Sequence, residues 1–258
     1  MIFSSAELIT QIGALFWPFL RISSLIVAMP AFGSRLLPNR LKIILAVTLT
    51  FAIAPHLPPI DHVEMFSVSG AIVATQQIFI GLAMGFALQL VFSVFVLGGQ
   101  VIALTMGLGF SSLNDPITGV SVPTVSQFYT IFVTLLFFAM NGHLIVIEVI
   151  ASSFVDLPVA QTGLTMEAVW KLLSWAKYIF SGAVLMALPA MASLLLVNIG
   201  FGVMTRAAPQ LNIFAIGFPV IMTIGFVILM LSLPSTIPLF ENLLDSNYEL
   251  MRAMLEAR

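Results

Sequence analysis

Ionisable side chains inside the apolar stretches of this sequence are few: Arg21, His143 and Glu148. Any chemistry has to start from them. A charge near the middle of an apolar segment costs roughly 2.5–3.5 kcal/mol on insertion scales unless it finds a partner or a wet cavity. Glu148 is therefore a candidate either to neutralise Arg21 or to relay protons. A relay needs a chain of titratable groups, and none accompanies these residues, so pairing is the simpler expectation. His143 and Glu148 stand five apart, which is not the i, i+4 spacing of two ligands on one helix face, and no HExxH is present. Beside Asn141-Gly142, His143 reads more simply as a hydrogen-bonded turn residue. Arg206 and Gln210 lie in a polar turn, RAAPQLN, and with the other three form a set of polar groups expected to be buried and structural. No nucleophile elbow, phosphate loop or carboxylate pair occurs, and the absence of cysteine excludes disulfides and thiolate metal sites. The expectation is a protein that is not an enzyme, with no cofactor and no metal.

The composition says where such a chain lives. Of its 258 residues 60% are hydrophobic and 8% charged, with a mean hydropathy of +1.13. Soluble domains carry roughly 25% charge, so this surface belongs in a membrane. A net charge of −2 gives no reason to expect a nucleic-acid partner. The opening MIFSSAELITQIG has no basic n-region, so the first apolar segment is expected to be retained. The 14 methionines suit adaptable surfaces, although membrane-compatible filling is the plainer explanation.

The most unusual stretch is 98–123, GGQVIALTMGLGFSSLNDPITGVSVP. Its glycines and prolines oppose regular helix, and Ser-Ser-Leu-Asn-Asp-Pro is turn chemistry. Its only charge is Asp115. An ordinary connecting loop would be more polar. Irregular backbone at membrane depth is tolerated only where it is buried in protein or lines a cavity.

Apolar segments follow one another at about 8–32, 41–57, 66–110, 125–155, 172–201 and 211–233. Helices are expected throughout, since a span needs about 20 apolar residues. The third is too long for one upright span. It reads as a long helix breaking near Gly98-Gly99, with a hairpin as the alternative. Asn141-Gly142 should break the fourth. Gly81 and Gly85 form GxxxG, a weak packing signal. Residues 241–258 form an amphipathic tail, with Leu244, Tyr248, Met251 and Leu255 at helical spacing. Arg35, Arg40 and Lys42 place the first connection in the cytoplasm, Asp61 and Glu64 place the second outside, and both termini then lie outside.

Four stretches taken together carry a resemblance: FLRISSLIVAMPAFGSRLLPNRLKIILA at 19–46, GGQVIALTMGLGFSSLNDP at 98–116, NGHLIVIEVIASSF at 141–154 and VMTRAAPQLNIFAIGFPVIM at 203–222. In their order and spacing the chain resembles the FliR/SctT-type family of type III export-gate subunits, over essentially its whole length. The resemblance implies an all-α membrane protein of about six long, partly broken apolar helical segments. It implies a FliP-like part at 1–170 and a FliQ-like helical hairpin at 171–240, ahead of the tail. It implies assembly with FliP and FliQ into one hetero-oligomeric pore, contact with FlhB and FlhA, and passage of unfolded flagellar proteins. The location would be the bacterial inner membrane at the flagellar basal body.

In that family a loop closes the pore from inside. On this sequence it matches 106–122, with Met106, Leu108, Phe110, Leu113, Pro116 and Val122 as the plug residues. Helices that tilt above the bilayer plane would also account for Arg21 and the overlong segments. The competing reading is a secondary transporter of a small solute, with a broken helix at Asn141-Gly142 lining its site.

Overall fold

A computed structural model describes residues 5–33, 37–58, 65, 67–108, 112–114, 121–207 and 213–256; the side chains of 5–12, 112–114, 121–123 and 213–216 are not described. Nine α-helices follow one another among these residues: α1 (Ser5–Ala28), α2 (Pro30–Gly33), α3 (Asn39–Ile53), α4 (Val68–Thr105), α5 (Thr124–Ala139), α6 (Gly142–Asp156), α7 (Met166–Trp175), α8 (Lys177–Ala207) and α9 (Ile213–Glu256). Two three-residue strands, β1 (Ser112–Asn114) and β2 (Ser121–Pro123), stand between α4 and α5. This is an all-α membrane protein. By length and composition α4, the stretch Met166–Ala207 and the stretch Gly217–Glu256 can each cross a bilayer, and the broken pair α5–α6 makes a fourth candidate. The expected count of about six is therefore not reproduced by that measure.

Local chemistry sets the helix ends. Ser67 Oγ accepts from the Gly70 N–H at 3.0 Å, satisfying an orphan donor at the start of α4, and Thr165 does the same for Ala168 at 3.2 Å in α7. Lys42 donates to the Gly33 carbonyl at 2.9 Å, capping the end of α2. The break at 141 forms as its sequence suggests. Asn141 adopts φ 57°, the left-handed region that Asn tolerates, and α6 begins at the next residue.

The third apolar segment is a correction. α4 runs unbroken through Gly98 and Gly99 for 38 residues, which rules out both the break and the hairpin. At 1.5 Å rise per residue it is roughly 57 Å long, well beyond a bilayer core. Those glycines serve close approach instead. A side chain on Gly99 would strike the Ser126 backbone, and one on Gly98 would strike Met186. The tail also differs from a separate segment, because α9 continues from Ile213 to Glu256 as one helix.

The chain forms two compact units, one of Met1–Leu90, Phe138–Trp175 and Asp245–Arg258, the other of Val91–Phe137 and Ala176–Leu244. In the first, α1 runs against α3, and Trp17, Ile22, Ile80, Leu88, Phe154 and Met251 are buried. In the second, Phe92, Phe95, Phe137 and Phe240 build an edge-to-face aromatic cluster with centroids 5.5 to 6.0 Å apart. Along α8 a different pattern holds, with Leu185, Leu188, Leu195 and Leu196 exposed. Contiguous apolar surface of this kind belongs against lipid or other chains.

Candidate functional site

The stretch 98–123 begins inside α4 and leaves it at a defined stop. Gly107 has φ +76°, Leu108 N–H donates to the Ala103 carbonyl at 2.8 Å, and Gly107 N–H donates to the Leu104 carbonyl at 3.1 Å. That pair of bonds is the Schellman motif, with glycine at the one position that needs a left-handed backbone. The helix-ending glycine is thus Gly107 rather than Gly98 or Gly99. Beyond it the backbone forms an antiparallel ladder of β1 with β2, in which Leu113 stands opposite Val122. Of the expected plug residues, Phe110 and Pro116 lie outside the described residues, and Leu113 and Val122 are described by backbone alone. Leu108 is half-buried. Met106 is fully buried, packed against Gly225 of α9. A cavity of about 420 Å³ opens beside this helix end, lined by Thr105, Gly107, Asn198, Thr205 and Phe218 among others.

Arg21 makes the other concentrated site. Its side chain is 0% exposed on α1. Nε donates to Gln77 Oε1 at 2.9 Å, Nη1 to the Ser153 carbonyl at 2.8 Å and Ser153 Oγ at 3.0 Å, and Nη2 to the Leu157 carbonyl at 2.9 Å. The Phe154 ring covers the guanidinium, its centroid 4.2 Å from Cζ. These bonded partners include no carboxylate. The opposing charge is the C-terminal end of α6, whose last carbonyls carry the negative pole of the helix dipole. Gly81 and Gly85 hold the geometry. A Cβ on Gly81 would collide with the Arg21 carbonyl and Ser24, and one on Gly85 with Ala28 and the Leu25 carbonyl. The GxxxG is therefore the seam that brings α4, and Gln77 with it, onto α1.

The remaining polar residues are scattered. Glu148 does not pair with Arg21. It is exposed, and its oxygen lies 3.4 Å from Arg252 Nη2 near the end of α9. The reason is helical: Glu148 precedes Ser153 by five residues, which turns it roughly 140° around α6 at 3.6 residues per turn. Arg206 is also exposed, in the last turn of α8, so neither residue is the buried group its sequence setting suggested. His143 is half-buried, its ring centroid 5.4 Å from that of Phe138. Its Nδ1 is enclosed and finds no partner among the described residues. Gln210 lies outside the described residues. The described residues contain no group of three or more His, Asp or Glu placed to hold a metal ion.

Sequence reasoning gave no role to Gln77, Ser153 or Gly225. An amide such as Gln77 within an apolar run is a detectable signal, because it needs a buried partner. For Ser153 and Gly225 no local pattern points to the role; each is defined by what packs on it.

Comparison with known proteins places the chain among related sequences. The profile of bacterial export proteins, family 1, matches residues 12–247. A flagellar biosynthetic protein FliR of Pectobacterium carotovorum subsp. carotovorum is 37% identical over 253 residues, covering 98% of this chain and 97% of that protein. The FliR of Escherichia coli strain K12 is 36% identical, covering 96% of this chain and 95% of its own length. That of Aquifex aeolicus is 33% identical, with 84% and 83% covered.

Proposed function

This chain belongs to the bacterial export proteins, family 1, and we propose that it is a subunit of the flagellar protein-export gate. The observation that carries this reading is similarity to flagellar biosynthetic proteins along 98% of the chain. The subunit sits in the bacterial inner membrane at the flagellar basal body. There it joins FliP and FliQ in one hetero-oligomeric complex, with FlhB and FlhA as further partners. Residues 1–170 act as the FliP-like part, 171–240 as the FliQ-like hairpin, and 241–258 as the amphipathic C-terminal tail. Unfolded flagellar proteins pass through the shared pore, and the role of this chain is transport and closure rather than catalysis. Arg21, His143, Glu148, Arg206 and Gln210 are structural in this reading.

Closure falls to the segment 106–122, with Met106, Leu108, Phe110, Leu113, Pro116 and Val122 as its bulk. Two features support it. The glycine stop at Gly107 releases the chain from α4 at the start of this segment, and the β1–β2 ladder ties its two arms together. The sequence between them holds a single charge, Asp115, so a constriction built from it excludes ions by dewetting, without a charged ring. An entering substrate displaces the loop, whose short ladder costs little to part.

Deletion of 110–116 tests this. In the assembled complex the variant is expected to leak ions and small solutes while export continues. A complex that stays sealed after the deletion rules the plug out.

A further inference from the structure

Two successive residues at the stop of α4 lie against α9. Met106 is 0% exposed, and a Cβ added to Gly225 would lie 2.7 Å from its Cγ and 2.8 Å from its Cε. Gly225 is thus a notch in α9 that exists because the residue has no side chain, and the Met106 thioether fills it. At Gly107 a Cβ would lie 3.4 Å from the Phe218 ring, so this residue faces the same helix beside the cavity that both line. Phe218 and Gly225 are seven residues apart, about two turns, so they share a face of α9.

We propose that Met106 is a positioning residue: seated in the Gly225 notch, it anchors the closing segment and fixes where that segment leaves α4. The proposal rests on the plug reading and refines it, since Met106 becomes the root of the stopper rather than part of its bulk. The physical basis is dense packing. Buried side chains occupy discrete arrangements and do not deform continuously, so an anchor is either seated or expelled. Methionine suits the role because its unbranched, flexible chain fills an irregular notch. The left-handed backbone at Gly107 then redirects the chain immediately after the anchored residue. Any displacement of this part of α9 unseats Met106 and reaches the closing segment through one side chain. The helix that receives the anchor is accordingly a control point for closure.

The test uses the full complex of this chain with its partner subunits in liposomes, reading ion leak and, separately, assembly by native mass spectrometry. Gly225→Leu fills the notch and expels Met106, and the expected result is loss of the ion barrier in complexes of unchanged composition. Pairing it with Met106→Ala returns a side chain to the same space, and the barrier is expected to recover. If Gly225→Leu blocks assembly, Gly225→Ala replaces it, since one Cβ already meets Met106, and the same rescue is required. The 110–116 deletion runs alongside. A leaky deletion beside a sealed Gly225 variant overturns the anchor alone. A Gly225 variant that leaks equally with and without Met106→Ala also overturns it. A sealed deletion overturns the plug reading and the anchor with it.

Discussion

Arg21 Nη1 donates to both the carbonyl and the hydroxyl of Ser153, at 2.8 and 3.0 Å, across 132 residues of sequence. With the bonds to Gln77 and Leu157, four hydrogen bonds leave the guanidinium, and its opposing charge is a helix end. A cation inside an apolar segment is thereby held by an amide, a hydroxyl and the carbonyls of a helix end.

Replacing Arg21 follows from that geometry. In Arg21→Ala, Gln77 Oε1 and the Leu157 carbonyl lose their donor, while the Ser153 carbonyl keeps the Leu157 N–H at 3.0 Å. Each buried group left unsatisfied costs about 1–3 kcal/mol. Arg21→Lys keeps the charge but lacks the planar fork that reaches three separate residues, so it should fall between. The thermal midpoint of the purified complex, followed by intrinsic fluorescence, should run wild type, Lys, Ala in falling order. A Lys variant as stable as wild type sinks the fork.

The ion pair expected from the sequence, Arg21 with Glu148, does not form. Arg21→Glu should therefore be as damaging with Glu148→Arg as without it. Glu148 and Arg252, by contrast, are 69% and 55% exposed and 3.4 Å apart, and such pairs contribute about 0–1 kcal/mol. Glu148→Gln alone should leave assembly intact. Recovery of the complex in the Arg21/Glu148 double reversal contradicts the placement of both residues.

Glycines on this chain should divide by what faces them. Gly85 abuts the Leu25 carbonyl and Ala28 of α1, backbone and methyl that cannot move aside. Nothing lies within 4 Å of a Cβ placed on Gly200. Gly85→Ala should lower complex yield, whereas Gly200→Ala should be tolerated, since alanine is the better helix former by about 1 kcal/mol. Equal yields of the two variants refute the α1–α4 seam.

Legibility in the sequence followed the range of the interaction. The Asn141 break was readable because one residue's tolerance of positive φ decides it. Helical apolar segments were readable because their length and composition decide them. The end of α4 was misplaced, because glycine density at 98–99 looks the same whether it breaks a helix or admits Ser126 and Met186 beside it. Gly107 differs only in needing φ +76°, which follows from the bonds around it. Arg21 announced that it needed partners but not which ones. Periodicity gives the faces of a helix and leaves open which face meets which, so Glu148 stood out as a partner and Ser153 did not. The Met106–Gly225 contact joins α4 to a helix more than a hundred residues later, and no spacing encodes it.

As one subunit of a hetero-oligomeric export gate, this chain should be found only in company with its partners. Native mass spectrometry of the mildly purified, tagged chain, expressed with its genomic neighbours, tests that directly. The expected result is a single assembly holding this chain with several copies of two small helical membrane proteins. A lone monomer or a simple homodimer contradicts it.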